Sequence, residues 1–133
     1  MAISRHKLRV KAFELVFQSN LVPPSEVIEI ARIEENEYFD NTYVETTVLG
    51  VYENLEKIDD LISSHLKPGW SKGRLSKVVL AVLRLAVYEM LFSADVPAAA
   101  AINEAVEITK EYGEEKEPVF VNGILAAILK DSE

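Results

Sequence analysis

The sequence predicts an all-α fold, and three observations carry that prediction. Apolar residues recur at intervals of three and four along almost the whole chain, with no convincing run alternating at two. Proline, glycine and capping residues stand where these runs begin and end. At 133 residues, 49% of them apolar and 27% charged, the chain suits one compact domain, 1–133, with a sizeable core and a soluble surface.

The first helix places Leu8, Ala12, Leu15, Val16 and Ser19 on one face and Lys7, Lys11, Glu14 and Gln18 on the other. His6, Val10, Phe13 and Phe17 occupy the flank between them. Pro23-Pro24 ends this helix, and Ser25 with Glu26 reads as the N-cap and acidic first turn of a second, running to about Ile33. From Asp40, the series Val44, Val48, Val51, Leu55, Ile58, Ile62 forms a heptad seam. It predicts the longest helix of the fold, some 26 residues and roughly 39 Å, stopped by Pro68-Gly69. The segment from Lys67 to Gly73, with the only tryptophan, Trp70, reads as a hinge between an N-terminal layer (about 1–67) and a C-terminal layer (about 68–133).

Leu75, Val78, Val79, Val82, Leu83, Ala86 and Met90 trace a broad apolar face that Leu80, Val87 and Leu91 extend, which puts this helix in the centre. Asp95 and Pro97 read as cap and first-turn proline of a helix with Ala98, Ala101, Ile102, Ala105, Thr109 and Tyr112 on one side, closed by Gly113 as a C′ residue. After the acidic loop Glu114-Glu115-Lys116-Glu117, a last helix turns Phe120, Val121, Ile124, Leu125 and Ile128 inward, and its final residues are expected to fray.

Composition excludes several functions. With no cysteine there is no disulfide scaffold, thiolate metal site or cysteine nucleophile. No apolar stretch is long and uncharged enough to span a membrane, and no export signal is visible, so the cytoplasm is the expected compartment. The five glycines build neither a phosphate loop nor a dinucleotide fingerprint. His6 and His65 form no ligand pair, so no metal is expected. Adjacent carboxylates at Glu34-Glu35, Asp59-Asp60 and Glu114-Glu115 point about 100° apart on a helix and read as solvated surface. No catalytic residue and no cofactor are expected.

Charge is unevenly divided. The net charge is −8, yet residues 1–11 carry Arg5, Lys7, Arg9 and Lys11 without an acid, so this segment is +4 and the remainder −12. Cations on the opening turns of a helix oppose its dipole by ~0.3–1 kcal/mol each, so the cluster is either an ordinary solvated start or a site for a polyanion. Phe13 and Phe17 beside it serve either as core or as platforms for unpaired bases. On the central helix Lys77, Ala81, Arg84 and Tyr88 share one face, which meets water, with Arg84 paired to Glu89 or to another segment, or meets a partner. Asn103, Glu104, Asn122 and Gly123 stand where better helix formers were available. Gly123 implies close helix approach or partner access, and Asn122 reads as a satisfied structural amide.

The stretches VLRLAVYEM (82–90), DVPAAAAINEAVEITKEYG (95–113) and FVNGIL (120–125), preceded by SRHKLRVKAFELVFQ (4–18), resemble the NusB family of transcription antitermination factors, in order and over nearly the whole chain. The resemblance implies about six to seven helices in two packed three-helix layers. It further implies binding of the box A element of ribosomal RNA leaders together with NusE, a small-subunit ribosomal protein, in a complex that helps RNA polymerase pass terminators. Matched by position, RNA would be held by Arg5, His6, Lys7, Arg9 and Phe17, with Lys116 and Phe120 at the last helix, and NusE by Lys77, Arg84, Tyr88 and Glu104. The chain departs from the family where His6 replaces a frequent arginine, Phe17 a frequent tyrosine, Val79-Leu80 charged residues, and Lys116 a commonly acidic residue. The first three imply weaker RNA binding without the partner, and Lys116 the opposite. The fold also occurs fused to RNA methyltransferases, but no cofactor domain is expected within these residues. The expectation is a non-enzymatic RNA-binding adaptor. The rival reading is a protein-only module that docks NusE or forms a homodimer, which the acidic net charge favours.

Overall fold

A computed structural model of the chain describes residues 2–133, in which every regular element is helical. Seven α-helices follow in order: α1 (Arg5–Gln18), α2 (Pro24–Glu34), α3 (Tyr43–Glu53), α4 (Leu55–Ser64), α5 (Lys77–Leu91), α6 (Ala98–Tyr112) and α7 (Glu117–Ser132). Short 3-10 turns at Asn36–Phe39 and Lys72–Arg74 were not foreseen from the periodicity.

The fold is built around α5. Ser76 caps it, its side-chain oxygen accepting the Val79 N–H at 3.1 Å, and residues 81–87 are all buried. It packs against α1, α3 and α4, and also against α6 and α7, so a single apolar cluster runs through the whole chain. The near-encircling hydrophobicity of its sequence is the signature of that central position.

Four local expectations are corrected. The heptad seam is not one helix: α3 and α4 are separated at Asn54, whose φ of −111° and ψ of 16° leave the helical region. Its Nδ2 donates to the Gly50 carbonyl at 2.8 Å, an acceptor that its own backbone N–H also reaches at 3.1 Å, so the side chain folds back on the preceding turn at the break. Val44, Val48, Val51, Ile58 and Ile62 are nonetheless all fully buried. At α2 the cap position is Pro23 and Ser25 lies inside the first turn, while α6 begins after Pro97 without a side-chain cap from Asp95. Gly113 ends α6 in an extended conformation, φ −101°. It is needed for space, since a Cβ there would lie 2.8 Å from Glu117 Oε1 and 2.9 Å from the Thr109 carbonyl. Helix α7 extends to Ser132, and His65 Nε2 at the end of α4 lies 2.6 Å from Asp131 Oδ2 in its last turn.

Candidate nucleic-acid interface

The cationic start of the chain divides in two. Ser4 caps α1, accepting the Lys7 N–H at 3.2 Å, and the first turn then presents Arg5, His6 and Lys7 to solvent. Arg9 and Lys11 turn inward and are only 7% and 8% exposed. Arg9 lies three, four and seven residues before Ala12, Phe13 and Val16, on the buried face of the helix.

What receives Arg9 is Glu89 of α5, itself 1% exposed. Arg9 Nε donates to Glu89 Oε1 at 2.7 Å and Nη2 to Oε2 at 3.1 Å, and the Tyr43 hydroxyl donates to Oε2 at 2.8 Å. Burial alone would lower the guanidinium pKa, but the hydrogen bonds and charge of Glu89 outweigh it and hold Arg9 firmly protonated. Burial and then the Glu89 charge push the Tyr43 phenol well above its ordinary range. Glu104 of α6 joins the group, 3.4 Å from Arg9 Nη1 and 2.8 Å from His6 Nδ1. The Arg5 guanidinium lies over the Tyr43 ring, 4.3 Å from its centroid. The expected RNA cation Arg9 is therefore a core residue that ties α1, α3, α5 and α6 together.

The strip expected on α5 is likewise no open surface. Ala81 and Arg84 are buried, and Arg84 pairs with Asp59 and not with Glu89, donating through Nε and Nη2 at 2.9 Å each. Asn20 Oδ1 accepts from Arg84 Nη1 at 3.3 Å and Lys72 Nζ reaches Asp59 at 3.0 Å. Asp59 is thus a buried counter-ion and not solvated surface. Lys77 at the exposed end of the strip and Tyr88 at its half-buried end keep access to solvent. The Tyr88 ring stacks on Phe92 with centroids 6.4 Å apart and shares a pocket of about 160 Å³ with Arg5, Tyr43 and Asp95.

Aromatic and basic side chains that do reach the surface follow a continuous path. Phe13 is buried, but its ring lies 6.3 Å from that of Phe17, which is 38% exposed, and 5.2 Å from that of exposed Tyr112. A groove of about 580 Å³ runs from His6 and Lys7 past Tyr38 to Tyr112. It shares Lys11, Glu14 and Glu35 with a second groove of about 430 Å³ that contains Phe17 and Lys77. In the shared wall Lys11 Nζ is held by Glu35 at 2.8 Å and Glu14 at 3.0 Å, so its charge is spent within the molecule. Lys116 and Phe120 lie elsewhere, in a cleft with Trp70 and Arg74.

Asn122 and Gly123 are exposed, and a Cβ on Gly123 would meet nothing within 4 Å, so neither the internal amide nor close helix approach is found. Sequence reasoning missed Glu89 as the acceptor of Arg9, Asp59 as that of Arg84, and Tyr43 as the donor that completes the Glu89 site. The available signal was a lone charge in register with apolar residues: Glu89 falls three and seven positions after Ala86 and Val82. Among the described residues no group of three or more His, Asp or Glu side chains is placed to hold a metal ion. No helix among them is long and apolar enough to cross a membrane.

Residues 2–130 match the NusB family. A transcription antitermination protein NusB of Bacillus pumilus is 40% identical over 131 residues, 97% of each chain. Among solved structures, T. maritima NusB superposes with a TM-score of 0.86 at 39% identity, covering 98% of this chain and 94% of that one. A structure of antitermination factors NusB and NusE in complex with double-stranded RNA gives 0.82 at 30% identity, covering 97% and 99%. With family, sequence and fold agreeing over nearly its whole length, the chain belongs to the NusB family of transcription antitermination factors, a family of regulators and not of enzymes.

Proposed function

We propose that this chain is a cytoplasmic antitermination factor that holds the box A element of ribosomal RNA leaders together with NusE and so assists processive elongation by RNA polymerase. The observation that carries the RNA part is the acid-free opening turn of α1. There His6 and Lys7 stand exposed at the head of a groove that leads to Tyr112 and, through a shared wall, to Phe17, while exposed Arg5 opens onto the pocket with Tyr43 and Tyr88. Cations placed against the helix dipole gain most when a phosphate neutralises them, and exposed aromatics further along supply stacking for unpaired bases. Lys116 and Phe120 extend the same chemistry to the start of α7. The solved NusB–NusE complex with RNA supports both partners.

For NusE, Lys77 and Tyr88 remain accessible, and Glu104 contributes from a half-buried position. Arg84 instead supports this surface from below through Asp59. The charge of −12 outside the first eleven residues suits a basic ribosomal protein. The test is a mobility shift of a short box A oligonucleotide with the purified chain, alone and with NusE, against a scrambled sequence. A shift specific to box A and strengthened by NusE is expected, and equal binding of the scrambled strand overturns the reading. One observation favours the protein-only alternative: Leu21, Ile30 and Ile33 leave an exposed apolar patch on and before α2. Under that reading NusE or a second copy of the chain binds while RNA does not.

A further inference from the structure

We propose that the cleft between the α4–α5 linker and the start of α7 is a slot for one unpaired RNA base, with Trp70 as its stacking platform. This rests on the RNA-binding reading above and adds Trp70 and Arg74 to it.

Trp70 is 51% exposed in a chain that buries most of its large apolar side chains. It is also held in place. Gly69, at φ +89°, makes the turn that precedes it, and the Trp70 N–H donates to the Lys67 carbonyl at 3.0 Å. Arg74, fixed by the 3-10 turn, lies with its guanidinium 5.3 Å from the indole centroid and donates through Nη1 to the Gly69 carbonyl at 3.3 Å. The ring is therefore prepositioned, which reduces the ordering cost of binding.

Across the cleft stand Phe120, 37% exposed, and Lys116, over walls that include Leu75 and buried Val79. The space is about 380 Å³, within the ~300–1,000 Å³ of small-ligand sites. Its charges nearly cancel. Arg74 and Lys116 face Glu114 and Glu117, and Glu117 Oε1 already accepts the Glu114 N–H at 2.8 Å. A rim of nearly balanced charge around two aromatics favours the flat face of a base over a phosphate within the slot itself, leaving Lys116 to meet the phosphate that flanks it. Glu114 at the rim can accept from an exocyclic amine, which favours cytosine or adenine over uracil.

Because Trp70 is the only tryptophan, its emission reports on this cleft alone. The full-length chain is titrated with a short single-stranded box A RNA, reading indole emission and, separately, the anisotropy of end-labelled RNA, with and without NusE. The indole should be quenched along the same isotherm as the anisotropy. Trp70→Ala should weaken binding about 5- to 150-fold, the stacking contribution of one base, with the salt dependence unchanged, and Trp70→Phe should recover most of it. If RNA saturates by anisotropy while the emission stays constant, or if Trp70→Ala binds like the parent, the slot is refuted and the RNA-binding reading stands. If no RNA binds the parent chain even with NusE, that reading fails and takes the slot with it. Quenching by NusE alone, with NusE affinity and not RNA affinity lost in Trp70→Ala, would make the cleft a protein site and overturn the proposal.

Discussion

A charge on the apolar face of a helix costs several kcal/mol per ion unless an opposite charge is brought to it with good geometry. Arg9 and Glu89 lie 80 residues apart and meet that requirement bidentately, with Tyr43 satisfying a further acceptor site. Removing one partner strands the other, so Glu89→Ala should lower stability by about 3–5 kcal/mol in urea unfolding, while replacing both Arg9 and Glu89 by apolar residues should cost far less. Tyr43 adds a pH dependence. Its phenol stays protonated in the folded state above the ordinary value of 10.0, where the unfolded chain already releases its proton. Stability from this group is therefore complete below about pH 10 and falls as pH rises beyond it. Tyr43→Phe should flatten that alkaline decline in unfolding midpoints measured at pH 8 and pH 11, and should itself cost about 1.5–3 kcal/mol at pH 8 for the lost bond to a charged acceptor.

Two glycines inside helices have opposite meanings. A Cβ on Gly50 of α3 would lie 2.4 Å from the Tyr88 ring, so the glycine lets α3 approach α5 closely. Gly123 of α7 faces open space. Gly123→Ala should stabilise the fold by about 1 kcal/mol through helix propensity alone, read as a raised melting temperature. Gly50→Ala should instead destabilise the parent by about 1–3 kcal/mol of overpacking and lose that penalty in a Tyr88→Ala background, a non-additivity visible in a double-mutant cycle. The division of α3 from α4 at Asn54 shows the same dependence on local chemistry. Every residue of the heptad seam is buried except half-buried Leu55, but spacing says nothing about a side-chain amide that bonds back onto the preceding turn.

For the whole molecule, the acidic body and the basic opening turn make opposite demands on a polyanion. Only Arg5, Lys7 and Lys116 of the expected RNA-binding Lys and Arg residues are exposed, since Arg9 is paired inside. With three phosphates neutralised on a single strand, log affinity against log salt should have a slope of about −2, falling to roughly −0.7 when Arg5 and Lys7 are both replaced by alanine. A slope of about −3 would show that Arg9 also reaches RNA and that the Glu89 pair opens on binding. Helix α5 makes such coupling physical, because it carries Glu89 and Arg84 in the core and Lys77 and Tyr88 at its accessible edges.

The sequence by itself determined the helical class, the central place of α5, the inward faces of most helices and the basic character of the start of α1. All of these follow from composition and periodicity within a few turns of chain. Only the tertiary structure decided which cations are free. Arg9 and Arg84 read like Arg5 in a linear sequence, yet each is neutralised by a carboxylate 25 or more positions away. The same holds for Trp70 and Phe120, 50 residues apart, which form one cleft only because α5 and α7 pack together. Long-range pairing has no period, so it becomes legible only once the helices are assembled.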